Sequence, residues 1–202
     1  AAGVELREGS VGVEQREGGG VTATIDDGSV VALDPLGTPS MLADGTRIWL
    51  CGAHGTLEGA PLDGVGTVTH GVPHRDAPLE RSVTLVLDAE LAVAIGARRP
   101  AGACGHGDEL IDAVIFRGEL SEGSPVAVPH ISTTYDAAGR VAHVGVELWE
   151  SDESEFAMRL GGEAHAHGEL RDEEGALVAV SFLDAHGEGR RGAGCYLLSS
   201  VS

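Results

Sequence analysis

Apolar and polar residues alternate with period two along most of this chain. The longest such run is Ser82 to Ile95, where Val83, Leu85, Leu87, Ala89, Leu91, Val93 and Ile95 share one face while Ser82, Thr84, Asp88 and Glu90 share the other. Successive side chains of a strand point to opposite faces, so the spacing predicts extended structure, with a break available near Asp88. Further strands are predicted at Val21–Ile25, Ser29–Leu33, Arg47–Cys51, Gly64–His70, Leu110–Arg117 and Val126–Tyr135. Val141–Glu150, Phe156–Leu170, Ala176–Leu183 and Cys195–Val201 complete the set. Helical periodicity is weak throughout; Asp108–Phe116 has helical length, but its β-branched residues favour a strand.

Between these runs lie Asp26-Asp27-Gly28, Ala43-Asp44-Gly45, Asp136-Ala137-Ala138-Gly139, Glu173-Glu174-Gly175 and His186-Gly187-Glu188-Gly189. Gly and Asp tolerate the backbone angles of tight hairpins, so these read as hairpin tips. About ten strands joined by hairpins predict an all-β protein, an antiparallel barrel in preference to a sandwich. Several strands are clean on one face and mixed on the other. In Val141–Glu150 the row Ala142, Val144, Val146 and Leu148 opposes His143, Glu147 and Trp149. A mixed row suits either a ligand-binding lumen or a solvent face. Residues 1–20 read as an N-terminal edge segment or tail ending in Gly18-Gly19-Gly20, and residues 21–202 as a single barrel domain.

The 202-residue length is enough for one domain with a sizeable core, and 42% hydrophobic content marks a globular chain. The net charge is −19 and all 13 basic residues are arginine. Such a surface repels phosphate backbones and anionic lipid, which argues against nucleic acid and membrane as partners. A GC-rich genome accounts for the missing lysine, and a salt-adapted host is the alternative. The three cysteines, Cys51, Cys104 and Cys195, are odd in number and lack close metal-ligand spacing. They fit a reducing, cytoplasmic setting. The first ten residues carry Glu5, Arg7 and Glu8 and no apolar stretch, so no signal peptide is expected there. No apolar run approaches the roughly 20 residues of a spanning helix.

The stretch Glu163-Ala-His-Ala-His-Gly-Glu169 holds the densest candidate chemistry. In an unbroken strand Glu163, His165, His167 and Glu169 share one face, and residues two apart sit about 7 Å apart at Cα, close enough for two imidazoles to hold one divalent metal. Cupin barrels hold metal in this way, but their following glutamate would fall at Arg171 or Asp172, and the only later histidine is His186. A solvated acidic row is the competing reading. A second constellation is Gly66–Arg75, which brings His70, His74 and Arg75 into a Gly/Pro-rich corner before the longest run. Histidine moves protons near neutral pH and arginine clamps an oxyanion or carboxylate. His130, after Pro129, is a candidate second proton carrier, whereas His54 and His106 sit beside glycines in expected loops. Cys104 near His106 lacks any sign of the geometry a reactive thiol pair requires. The chain has no nucleophile elbow, phosphate loop or dinucleotide fingerprint.

Three segments between residues 55 and 200 resemble the lipocalin-like tandem-barrel proteins related to AttH and to carotenoid 1,2-hydratase (hydroxyneurosporene synthase). Gly55–Gly59 through Leu62–Gly66 is similar to the strand and turn before that family's Gly-x-x-Asp-His-Ser-Trp-Gly-x-Arg element. Here the element spans Gly66–Arg75: His70 and Arg75 match, while Thr69, Gly71, Val72 and Pro73 depart from it. Tyr135–Arg140 with Val141–Leu148 resembles a late hairpin, and Gly192–Leu197 resembles the glycine-rich closing strand. The resemblance implies a lipocalin-like barrel with a lipophilic pocket. It also implies hydration, isomerisation or cyclisation of terpenoid or polyketide-like molecules without an organic cofactor. Only His70 and Arg75 carry over as site residues.

Together these readings favour a cofactor-independent acid–base enzyme (a lyase or isomerase) acting on a hydrophobic small molecule in a barrel pocket. His70, Arg75 and His130 are its candidate catalytic residues. A non-catalytic lipophile-binding barrel is one alternative, and a metal-dependent cupin-like barrel using His165 and His167 is another. An exposed edge strand leaves room for a homodimer.

Overall fold

The computed structural model describes residues 2–5, 11–43, 45–71, 79–88, 90–103, 105–118, 122–151, 153–171 and 177–200. Among these, sixteen strands form two sheets. They are β1 (Ala2–Glu5), β2 (Val11–Gln15), β3 (Val21–Ile25), β4 (Val30–Pro35), β5 (Ser40–Met41), β6 (Arg47–Leu57), β7 (Ala60–His70) and β8 (Leu79–Asp88). They continue with β9 (Leu91–Arg99), β10 (Leu110–Arg117), β11 (Gly123–Pro125), β12 (Val128–Tyr135), β13 (Val141–Trp149), β14 (Met158–Arg171), β15 (Leu177–Gly187) and β16 (Arg190–Ser200). No helix among the described residues is long and apolar enough to cross a membrane.

The larger sheet has ten strands in the order β11-β10-β9-β8-β16-β15-β14-β13-β12, with β1 added in parallel to the second half of β14. It curls until β12 comes against β10, giving the expected lipocalin-like barrel. The run Ser82–Ile95 breaks at Asp88 into the β8–β9 hairpin. Both halves of its apolar row still reach one core, because Val83 pairs with Ile95 and Leu85 with Val93 across the hairpin. Val144, Val146, Leu148, Leu160 and Leu183 meet them from the far wall. Each such fully buried aliphatic side chain contributes roughly 1.5–3 kcal/mol. The mixed row of β13 points outward. His143 is exposed, Glu147 pairs with Arg159 at 3.1 Å, and the Trp149 ring meets His130 edge-on with centroids 5.4 Å apart.

The smaller sheet, in the order β2-β3-β4-β6-β5 with β7 on β6, lies on the convex face of the barrel. Ile48 and Leu50 of β6, with Leu42, pack there against Ala92, Ala94, Val114 and Phe116. Two hairpin tips place paired residues at positive φ, Glu58 (51°) with Gly59 (77°) and Glu188 (50°) with Gly189 (73°). That is the type I′ geometry whose twist matches the flanking strands. The tips expected at Asp26–Gly28 and Asp136–Gly139 are turns, while Asp44 and Glu173–Gly175 lie outside the described residues.

Candidate functional site

Two cavities combine apolar walls with ionisable groups. The first, about 310 Å³, lies between the sheets, walled by Leu42 and Ile48 on one side and by Ala94 and Leu197 on the other. Residues 80, 82 and 84 of β8 alternate with its core-facing residues, so they project from the convex face into this gap. Glu80 stands directly between Arg98 of β9 and Ser199 of β16 in the strand register, and all three line the cavity. Its Oε1 is buried, with no hydrogen-bond partner among the described residues. A carboxyl group held this way beside an arginine can take or give a proton to a bound molecule. Thr69 and Gly71 form the cavity's rim on the β7 side.

The second cavity, about 470 Å³, opens at the end of the barrel where the β12–β13 turn, the start of β15 and the end of β16 converge. Two β-bulges build it. In β13, Ala142 is skipped between the pairs Thr134–His143 and Tyr135–Val141, and in β14 His165 is skipped between Ala164–Leu183 and Ala166–Phe182. One extra residue reverses the in–out alternation beyond it. Hence Ala164 packs against the core, whereas His167 and not Ala166 continues the inward row, opposite buried Ser181. The His167 Nδ1 lies 2.9 Å from the Ser181 hydroxyl. Burial first, and then the nearby Arg140 guanidinium, lower the imidazole pKa below its usual 6.5, with Asp136 opposing.

This shift makes a pH prediction. The unfolded chain takes up the His167 proton near pH 6.5 and the folded chain only at lower pH, so in between the unfolded state binds more protons. The His167 contribution to stability is therefore full above that value, falls as pH drops through it, and levels off below the folded pKa. Urea midpoints measured from about pH 7.5 to about pH 5 are expected to decline less in His167→Gln than in the unsubstituted protein.

Deeper in the same end of the barrel, Arg81 and Arg99 grip Glu109. The Arg81 Nε donates to Glu109 Oε2 at 2.9 Å and the Arg99 Nη2 donates to Oε1 at 3.1 Å. The Arg81 and Glu109 side chains are 3% and 0% exposed. Beside this pair, burial raises the pKa of the Tyr196 hydroxyl, with the nearby Arg81 guanidinium opposing.

The fold is similar to that of two solved proteins. An AttH-like protein from Nitrosomonas europaea aligns with 95% of this chain and 68% of its own, at TM-score 0.59 and 12% identity. Kievitone hydratase from Nectria haematococca aligns with 97% of this chain and 69% of its own, at TM-score 0.56 and 12% identity. The weak AttH-type resemblance seen in the sequence thus extends to the fold, and at this identity fold is what the likeness shows. Neither a protein-family model nor a curated protein sequence matches the chain.

The candidate residues from sequence are scattered. His70 is exposed at the end of β7, and alternation turns its side chain away from the face that Thr69 and Gly71 present to the inter-sheet cavity. Arg75 lies outside the described residues. His130 is exposed on the outer face of β12, against Trp149, and lines neither cavity. The β14 bulge parts the two histidines of the supposed metal row: His165 turns out to Asp184 at 3.4 Å, with its side chain half exposed, and His167 turns in to Ser181. Among the described residues no three His, Cys, Asp or Glu side chains gather as a metal cluster. Glu80, Arg81, Arg99 and Glu109 were missed. One signal was available: Arg81 and Arg99 continue the apolar row of β8 and β9, and Glu109 that of β10, so all three point into the barrel.

Proposed function

We propose that this protein is a cofactor-independent acid–base enzyme of hydratase, isomerase or cyclase type, acting on a hydrophobic small molecule between its two sheets. The observation that carries the reading is the Glu80 carboxyl, with a buried and unpartnered oxygen in an otherwise largely apolar cavity. Glu80 exchanges the proton with the substrate, Arg98 beside it balances the carboxylate charge, and the apolar walls hold the hydrocarbon body and exclude water. A fold shared with a protein named as a hydratase supports the reaction class. Thr69 and Gly71, from the segment singled out in the sequence, line the same cavity, and Arg75 is carried forward as a proposed anion clamp.

The test is incubation of the purified protein, with no added metal or cofactor, with unsaturated terpenoid and polyketide-like compounds, read by mass spectrometry. Hydration adds the mass of one water, and isomerisation or cyclisation gives an isobaric product with altered retention. Glu80→Gln, nearly isosteric, is expected to lower turnover about 100-fold. Undiminished turnover in that variant would remove Glu80 from the mechanism. Recovery of an unmodified lipophile with no conversion would make the protein a carrier.

A further inference from the structure

The cavity at the open end of the barrel is separate from the inter-sheet cavity, and no lining residue is shared between them. We propose that it is a second binding site, specific for an uncharged, hydroxyl-bearing aromatic or alicyclic molecule, with His167 Nε2 as its polar anchor. The walls are Val141, Leu177, Ala179 and Leu198 with the two tyrosines Tyr135 and Tyr196, so the body of the ligand is apolar. The polar groups around the rim are already engaged. Arg140 donates twice to Asp136 at 3.0 and 3.1 Å, Arg171 donates to Glu169 at 3.0 Å, and the Thr133 hydroxyl lies 3.2 Å from that of Tyr135. The Tyr196 hydroxyl lies near the Arg81 guanidinium. His167 is different. Ser181 occupies Nδ1, and no described residue bonds Nε2.

The Ser181 contact determines what Nε2 offers. When the serine hydroxyl donates to Nδ1, the ring proton sits on Nε2, which then donates into the cavity; when Nδ1–H donates to the serine, Nε2 accepts. A hydroxyl group both donates and accepts, so it satisfies either arrangement, which an ether or a ketone does not. A neutral imidazole and rim charges already paired leave nothing to hold a second charge, and a protein of net charge −19 repels anions at long range. The placement is built in: the bulges at Ala142 and His165 lie on neighbouring strands at this end of the barrel, and they turn Val141 and His167 inward together. Bulges of this kind re-aim side chains beside functional sites.

Binding of 2-naphthol and of naphthalene to the full chain, followed by calorimetry, tests the site without reference to any turnover, so its result is independent of the catalytic reading above. The unsubstituted protein is expected to bind 2-naphthol about tenfold more tightly than naphthalene, the worth of one hydrogen bond. His167→Phe is expected to abolish that preference while keeping the apolar contact. A second readout uses the intact protein: with histidine-selective ¹⁵N labelling, the His167 ring nitrogens are expected to shift on adding 2-naphthol and to stay unmoved with naphthalene. Failure of both compounds to bind, equal affinity for the two, a preference that survives His167→Phe, or an unshifted His167 ring would each overturn the proposal.

Discussion

Glu109→Leu is expected to destabilise the fold by about 3–5 kcal/mol, the range for removing one partner of a buried ion pair. Arg81 receives most of that loss. Its side chain is 3% exposed, two of its nitrogens donate to the one Glu109 oxygen, and it stands between Ala97 of β9 and Leu198 of β16 in the strand register. Without the carboxylate, a guanidinium remains in a region that water does not reach. Arg99 is more exposed and can turn its charge to solvent, so it adds less. The double variant Arg81→Met/Glu109→Leu is expected to recover a large part of the loss, because neither charge is then buried alone. Recovery stays incomplete, since the buried Tyr196 hydroxyl loses the nearby guanidinium and Arg99 keeps a charge without its carboxylate. Urea denaturation of Arg81→Met, Glu109→Leu and the double variant gives the coupling directly; if the double variant is no more stable than Glu109→Leu, the pair is not what holds this end of the barrel.

Gly192→Ala is the second large effect. A Cβ on Gly192 would overlap the carbonyl oxygen of Val86 and come within 2.7 Å of the Leu87 Cα. Both obstacles are backbone, on the seam where β16 meets β8, and a strand cannot rotate aside as a side chain does. The expected cost is about 3 kcal/mol or somewhat more, the upper part of the range for overpacking. Gly64→Ala on β7 is the control: nothing lies within 4 Å of its would-be Cβ, and the expected change is within about 0.5 kcal/mol. Equal unfolding midpoints for the two variants would mean that the β8–β16 contact is looser than its register implies.

The Gly192–Leu197 segment stood out in the sequence by its glycines, and the reason for them is physical: β8 approaches too closely for a side chain at 192 or 194. Most strand positions and several hairpin tips were legible in the same way, because alternation and the tolerance for positive φ are local properties. The break at Asp88 was legible too, although the sequence left open whether the row crossed it as one strand or folded back as two. The site was less legible. Glu80 looks like one more surface acid in a chain of 32 acidic residues, and only the smaller sheet lying over β8 to β10 turns its position into a cavity. His70 lies on β7 beside Thr69 and Gly71, yet alternation sends its side chain away from that cavity.

The row Glu163–Glu169 marks the boundary between the two kinds of information most sharply. From sequence alone it is a strand with four ionisable groups spaced by two, and the strand is there. Sequence by itself therefore determined the extended conformation, the all-β class and the order of the hairpins, since each follows from interactions among near neighbours. Which groups face which way was decided by tertiary structure. β14 must pair with β13 over its first half, β1 over its second and β15 along both, and one residue, His165, has no place in that register. Because the side-chain period is two, that single extra residue sends His165 to water and His167 into the barrel.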